Sequence, residues 1–333
     1  MATQPQIPVL SAAEIFDLVR ADLEQVEKAI DVESVGSVDT VTAIGRYLHQ
    51  SGGKRLRPAL LLLCARLAGT PGKSAIQLGA VVEMIHAATL VHDDVIDNSE
   101  SRRGRPSANV QWGNHTCVLA GDWLYMQAFQ MALRERNFHI LDLLIGLTQM
   151  MVEGELIQLD RIGRIAITEA DCMELVDRKT AGLFSACAKL GAVAGGADTA
   201  TEEKLGEFAW NLGMAFQLID DLLDFTSQEE TLGKPVGGDL KEGKITLPLV
   251  YALQNATAEE REMVETALTD RNYDRIPFAA ILEIVDRRGG IERTRERARQ
   301  FTDRAHQMVA EFPGNQWQRG LGALAELITG RDH

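Results

Sequence analysis

Apolar residues recur at steps of three and four along most of this chain. The stretches "TCVLAGDWLYMQAFQMALRE", "FHILDLLIGLTQMMVEGELIQLD" and "EADCMELVDRKTAGLFSACAKLGAVAGG" keep that spacing throughout, which predicts helices. Proline clashes with a helix interior and removes a donor, and none of the nine prolines falls between residues 107 and 234. Earlier, "RPALLLLCARLAG" carries Pro58 where a first helical turn tolerates it and Gly69 where a helix stops. A longer helix is predicted from Ser74 to about Asp97. Its residues 76–91 are apolar on most of the circumference, which suits the middle of a large bundle. Helical patterning runs from "SAAEIFDLVRADLEQVEKAI" to "WQRGLGALAELIT", strand signals are nearly absent, and no Gly/Ser/Pro-rich linker or fixed-period repeat divides the chain. The expectation is an all-α fold in one domain, residues 1–333.

Composition narrows the function. With 333 residues and 45% hydrophobic content, the chain can bury one large core or two modest ones, so length alone does not fix the domain count. Its 48 acidic and 34 basic residues give a formal charge of -14, which argues against non-specific nucleic-acid binding. Cys64, Cys117, Cys172 and Cys187 are widely spaced in apolar surroundings and read as reduced core residues. The N-terminal "MATQPQIPVLSAAEIF" lacks a leader pattern, and no later stretch reads as a bilayer span free of polar interruption. The expectation is a cytoplasmic protein that is not integral to a membrane.

The concentrated charge lies in "LVHDDVIDNSESRRGRP". Four residues turn a helix by only about 40°, so Asp93 and Asp97 share a face and Asp94 sits to the side. Carboxylates at a helix C-terminus oppose its dipole by about 0.3 to 1 kcal/mol each, and one such motif is as readily a solvated helix end as a site. A second copy changes that balance: "FQLIDDLLDF" sets Asp220, Asp221 and Asp224 in the same arrangement, 127 residues on. Facing pairs of carboxylate oxygens suit hard divalent ions. Magnesium, which takes a few carboxylates together with substrate phosphates, fits best.

Cations accompany each acidic cluster. "GGKRLRP" carries Lys54, Arg55 and Arg57 at the start of a helix, Arg102, Arg103 and Arg105 follow the first aspartates, and "GKPVGGDLKEGKITLP" carries Lys234, Lys241 and Lys244 after the second. Any one basic run is ordinarily a solvated loop. Grouped beside aspartates in an acidic protein, they make a local anion site.

These motifs, with "DRKTAGLF" between them, stand in the order and at the separations of the all-trans polyprenyl diphosphate synthases, which the sequence resembles over nearly its whole length. The wording is similar to bacterial octaprenyl and decaprenyl diphosphate synthases. The resemblance implies the isoprenoid synthase fold, a bundle of long helices around a deep central cavity, and a homodimer. It implies head-to-tail condensation of isopentenyl diphosphate onto an allylic diphosphate, by ionisation, condensation and elimination. Three Mg²⁺ ions are implied, held by Asp93, Asp97, Asp220 and Asp224. Lys54, Arg57, His86 and Arg103 resemble isopentenyl diphosphate ligands; Arg102, Lys179, Thr180, Gln217, Lys234 and Lys244 resemble groups around the allylic diphosphate. The implied catalytic group is Asp93, Asp94, Asp97, Arg102, Lys179, Thr180, Asp220 and Lys234.

Diphosphate departure leaves an allylic cation for attack by the second double bond, and the proton passes to released diphosphate, so no protein nucleophile is needed. Chain length in the resembling enzymes is set about one turn before the first aspartates. Here those positions are Ala88 and Thr89, both small, so a long product of about C40 to C50 for quinone side chains is expected, with transient membrane contact at product release. Small residues also serve close helix packing. A short-chain synthase, a terpene cyclase and a non-catalytic partner subunit are the alternatives.

Overall fold

The computed structural model describes residues 10–50, 53, 55–102, 104–227 and 236–330. Lys54, Arg103 and Lys234 lie outside them. Two short N-terminal helices, α1 (Ala12–Asp17) and α2 (Arg20–Glu33), lead into α3 (Asp39–Gln50), α4 (Leu56–Ala68) and the long α5 (Lys73–Ile96). A two-residue hairpin follows, β1 (Ser101–Arg102) paired antiparallel with β2 (Arg105–Pro106). Next come α6 (Ala108–Trp112), α7 (Asn114–Arg134), α8 (Phe138–Arg161), α9 (Glu169–Val176), a π-helical turn (Asp177–Ala181), α10 (Gly182–Gly195) and α11 (Thr199–Thr226). The remaining helices are α12 (Gly238–Lys241), α13 (Leu247–Leu253), α14 (Ala258–Asp270), α15 (Phe278–Arg287), α16 (Gly290–Ala310) and α17 (Gln316–Thr329).

Helix starts follow local chemistry. Ser11 with Glu14, Thr168 with Asp171 and Thr257 with Glu260 form reciprocal capping boxes, and Asp198 caps α11 through the Thr201 N–H at 2.8 Å. Two segments differ from the sequence expectation. The "SAAEIFDLVRADLEQVEKAI" pattern is interrupted at Leu18 and Val19 rather than continuous. "EADCMELVDRKTAGLFSACAKLGAVAGG" is broken by the π turn, where the Gly182 N–H reaches back to the Asp177 carbonyl. A single-residue widening of this kind leaves the apolar period almost intact, so the pattern does not reveal it.

In the core, α10 lies between α4 and α11, and α5 lies between α4 and α7. The run Leu60–Leu63 is fully buried, as a helix apolar on all sides requires. A second apolar cluster gathers the C-terminal half of α11 with α9 and α13 through α16, so α11 links both clusters. By length and hydropathy alone α5 meets the requirement of a membrane span, although Glu83 interrupts its apolar run, in line with the sequence expectation. It nevertheless packs between α4 and α7 as a core helix. All four cysteines are free and buried.

Candidate active site

The first acidic motif ends α5. Asp97 caps the helix, its N–H donating to the Asp93 carbonyl at 2.8 Å. Asp93 lines a cavity of about 440 Å³ together with Arg57, His86, Thr89, Lys179 and Thr180. Burial pushes its carboxyl up to about 6; Lys179 opposes that shift, while Glu155 and Asp97 add to it. Asp94 behaves otherwise. It is 1% exposed, and its Oδ1 accepts from Arg102 Nε at 2.9 Å and Nη2 at 2.8 Å, while its Oδ2 is buried without a hydrogen-bond partner. Asp97 Oδ1 accepts from Lys244 Nζ at 3.1 Å, a contact spanning 147 residues.

The second motif ends α11. Asp220 acts electrostatically on Arg57, joining this motif to the "GGKRLRP" region. Asp221 is buried and accepts from Gln217 Nε2 at 2.9 Å. Burial and the neighbouring Asp239, with Asp220 and Asp224, push its carboxyl well above the ordinary range. Asp224 is 1% exposed, and its two oxygens accept from the Gly238 and Asp239 N–H groups, both at 3.2 Å. These bonds anchor the start of α12 and leave each oxygen a further lone pair.

The cations differ in how they are held. Arg57 is half-buried beside the Phe184 ring, 5.8 Å from its centroid, with its buried Nε lacking a hydrogen-bond partner. Burial pulls its pKa down, and Glu83, Cys187 and Asp220 offset part of that. Arg55, adjacent in sequence, is a structural tie: its φ of 48° turns the chain and its guanidinium pairs with Glu27 and Glu83. Lys244 pairs with Asp97 and Glu242, and despite burial their charges push its pKa up.

The π turn positions the remaining polar groups. Lys179 Nζ donates to Glu155 at 3.0 Å and Gln158 at 3.3 Å. Thr180 Oγ1 donates to Gln217 Oε1 at 2.7 Å, so hydrogen bonds run from Thr180 through Gln217 to Asp221. Glycines admit the turn between two helices: a Cβ on Gly154 would come within 2.7 Å of Arg178 Cβ, and one on Gly213 within 2.6 Å of Ala181 Cα. Lys179 also lines a second cavity of about 150 Å³, with Gln217, Asp221, Asp239 and Lys244. The two acidic motifs thus border adjoining cavities that share one lysine wall.

Some site residues escaped sequence reading. Asp239 stands in the quoted "GGDLKEGK" loop, where its acidity among lysines was the available signal; Glu155 carries none, since only folding brings α8 beside Asp93. Thr89 lines the larger cavity, whereas Ala88 is fully buried and outside its lining. The donor set is all oxygen and crowded with negative charge, and Asp94 keeps an unsatisfied oxygen, so these residues fit a hard divalent cation. Among the described residues no group of three such side chains closes into a complete metal cage.

A helical bundle with paired acidic helix ends and cations around a partly apolar cavity defines a class of metal-assisted prenyl-transferring proteins. The polyprenyl synthetase family model matches residues 38–285. Octaprenyl diphosphate synthase of Escherichia coli (strain K12) is 38% identical over 323 residues, covering 97% of this chain and 100% of that protein. The all-trans-nonaprenyl-diphosphate synthase (geranyl-diphosphate specific) of Rhodobacter capsulatus is 36% identical over 319 residues, covering 96% and 97%. A polyprenyl synthase from Caulobacter crescentus CB15, solved in complex with calcium and isoprenyl diphosphate, superposes with a TM-score of 0.93 at 37% identity, covering 98% of this chain and 100% of that one. The chain belongs to the polyprenyl synthetase family and is a prenyltransferase of the long-chain all-trans polyprenyl diphosphate synthase type. Magnesium dependence is general in the family.

Proposed function

We propose that the two acidic helix ends hold an allylic diphosphate between them through Mg²⁺, three ions in all, and that the product is about C40 to C50. The observation that carries this reading is the pairing of Lys244, from the loop after the second motif, with Asp97 of the first. Asp93, Asp97, Asp220 and Asp224 hold the cations, with Asp221 and Asp239 behind the second site. Bound Mg²⁺ supplies charge neutralisation of the departing diphosphate. Lys179 and Lys244 add positive charge on the same side, and the Thr180–Gln217 pair presents dipoles toward the allylic carbon. Arg57 and His86 bind the diphosphate of isopentenyl diphosphate, which places an anion beside the half-buried guanidinium, whose Nε has no hydrogen-bond partner. Lys54, Arg103 and Lys234 complete the two anion sites. The growing tail enters the 440 Å³ cavity past Thr89, between α5, α7 and α8.

The working unit is residues 1–333 as one domain, assembled as a homodimer. Four buried free thiols suit the reducing cytoplasm. Incubation with an allylic diphosphate, labelled isopentenyl diphosphate and Mg²⁺, followed by mass analysis, tests the reading. Octaprenyl to decaprenyl products are expected. Farnesyl or geranylgeranyl products overturn the chain length, and a cyclic hydrocarbon or no product overturns the reaction.

A further inference from the structure

The π turn between α9 and α10 carries Lys179, which lines both cavities, and Thr180, which lines the larger one. A turn closed by an i→i+5 bond holds one residue more than an α turn, and such turns are rare. A slip of one residue would restore the α register and swing the side chains concerned by about 100° around the axis. Lys179 and Thr180 would then turn away from the cavity walls.

The slip cannot be taken up by α10. A Cβ on Gly191 would come within 2.3 Å of the Leu61 carbonyl oxygen, and one on Gly195 within 2.5 Å of that of Ala65. Helix α10 is thus pressed against the α4 backbone and is not free to rotate. The slip is resisted at the other end of the turn, at Asp177. There Trp210 Nε1 donates to Asp177 Oδ1 at 2.5 Å, across 33 residues of sequence. A carboxylate acceptor makes this one of the stronger kinds of protein hydrogen bond. The indole is itself held edge-on against the Phe301 ring of α16, with centroids 5.7 Å apart. Trp210, Gly213 and Gln217 follow at steps of three and four on one face of α11. Each meets the turn: Trp210 bonds Asp177, Gly213 admits Ala181, and Gln217 accepts from Thr180. The same face continues to Asp220 and Asp221.

We propose that Trp210 is a positioning residue: through Asp177 it holds the π register, and with it the direction of Lys179 toward the diphosphate. Trp210 lines neither cavity, so it acts only through the turn. The inference rests on the proposed placing of the allylic diphosphate at Lys179. Arg57 and His86 belong to α4 and α5, so the isopentenyl diphosphate site is spared.

Trp210→Phe removes the N–H and keeps a ring against Phe301. In prenyl-transfer assays kcat is expected to fall by roughly tenfold to a hundredfold, with KM for isopentenyl diphosphate unchanged. Asp177→Ala should match it, and the double variant should lose no more than either alone. Asp177→Asn keeps an acceptor oxygen and should retain wild-type kcat. Calorimetry of inorganic diphosphate with Mg²⁺ should follow the same order, binding being about tenfold weaker in Trp210→Phe. Wild-type kcat in Trp210→Phe, additive losses in the double variant, or equal losses in Asp177→Asn and Asp177→Ala overturn the proposal. A KM for isopentenyl diphosphate that rises as far as kcat falls also overturns it, because that marks general loosening of the fold. If Trp210→Phe loses helicity by circular dichroism, the two Asp177 variants decide alone. A wild-type enzyme that condenses nothing, yet binds diphosphate more tightly than Trp210→Phe, would count against the proposed reaction and for the positioning role.

Discussion

Asp93, Asp94 and Asp97 at the end of α5 share their spacing with Asp220, Asp221 and Asp224 at the end of α11, yet different partners hold them. In the first motif the middle carboxylate is withdrawn, tied to Arg102, and the third reaches across to Lys244. In the second the middle carboxylate is buried against Gln217 and Asp239, and the third accepts from two backbone donors. A repeated motif therefore fixes where oxygen atoms stand along a helix face. Which of them remain for a cation depends on loops and helices far away in sequence.

The comparison is broken most severely at its two leading carboxylates. Asp93→Ala and Asp220→Ala are each expected to lower kcat by about a thousandfold or more, with the helical spectrum intact. Near-normal turnover in either variant would remove that motif from the metal site. Asp224→Asn sharpens the contrast, because its oxygens also anchor the start of α12: stability should fall by about 1 to 3 kcal/mol in a denaturant titration, beside a loss of kcat smaller than that of Asp220→Ala. Unchanged stability would show the anchor to be idle.

A milder test separates two adjacent small residues. Thr89→Phe, inside the cavity, is expected to shorten the product with little change in stability. Ala88→Phe overpacks the core and should cost about 1 to 3 kcal/mol. The reverse pattern, measured by product mass and melting temperature, would move the tail to the other side of α5.

The smallest expected effect concerns the frame that carries Arg57 toward both motifs. His49 pairs with Glu27 and Asp31, and its hydrogen bond to Glu27 raises its pKa above 6.5 despite burial. Its stabilising contribution is therefore full below pH 6.5 and is lost as pH rises through the folded-state value. His49→Gln should flatten that decline in melting temperature, by roughly one or two degrees. An unchanged pH profile would show the pairing to be inert.

Helices α4, α5, α7 and α8 were legible because Pro58, Gly69 and an uninterrupted apolar period mark them. The break at Leu18–Val19 and the π turn were not, since neither disrupts the spacing of apolar residues around it. In the site, repetition exposed both aspartate motifs, and charge grouping exposed Arg57 and Lys244. The ties of Asp94 to Arg102, Thr180 to Gln217 and Asp97 to Lys244 arise only when segments meet. The same reason hid Asp239, whose importance comes from facing Asp221.

Calorimetric titration of inorganic diphosphate into the full chain, with Mg²⁺ or with a chelator, tests the central claim most directly. Tight binding is expected only with Mg²⁺, weakened by roughly tenfold or more in both Asp93→Asn and Asp220→Asn. Equal affinity in chelator, or wild-type affinity in either variant, would contradict it.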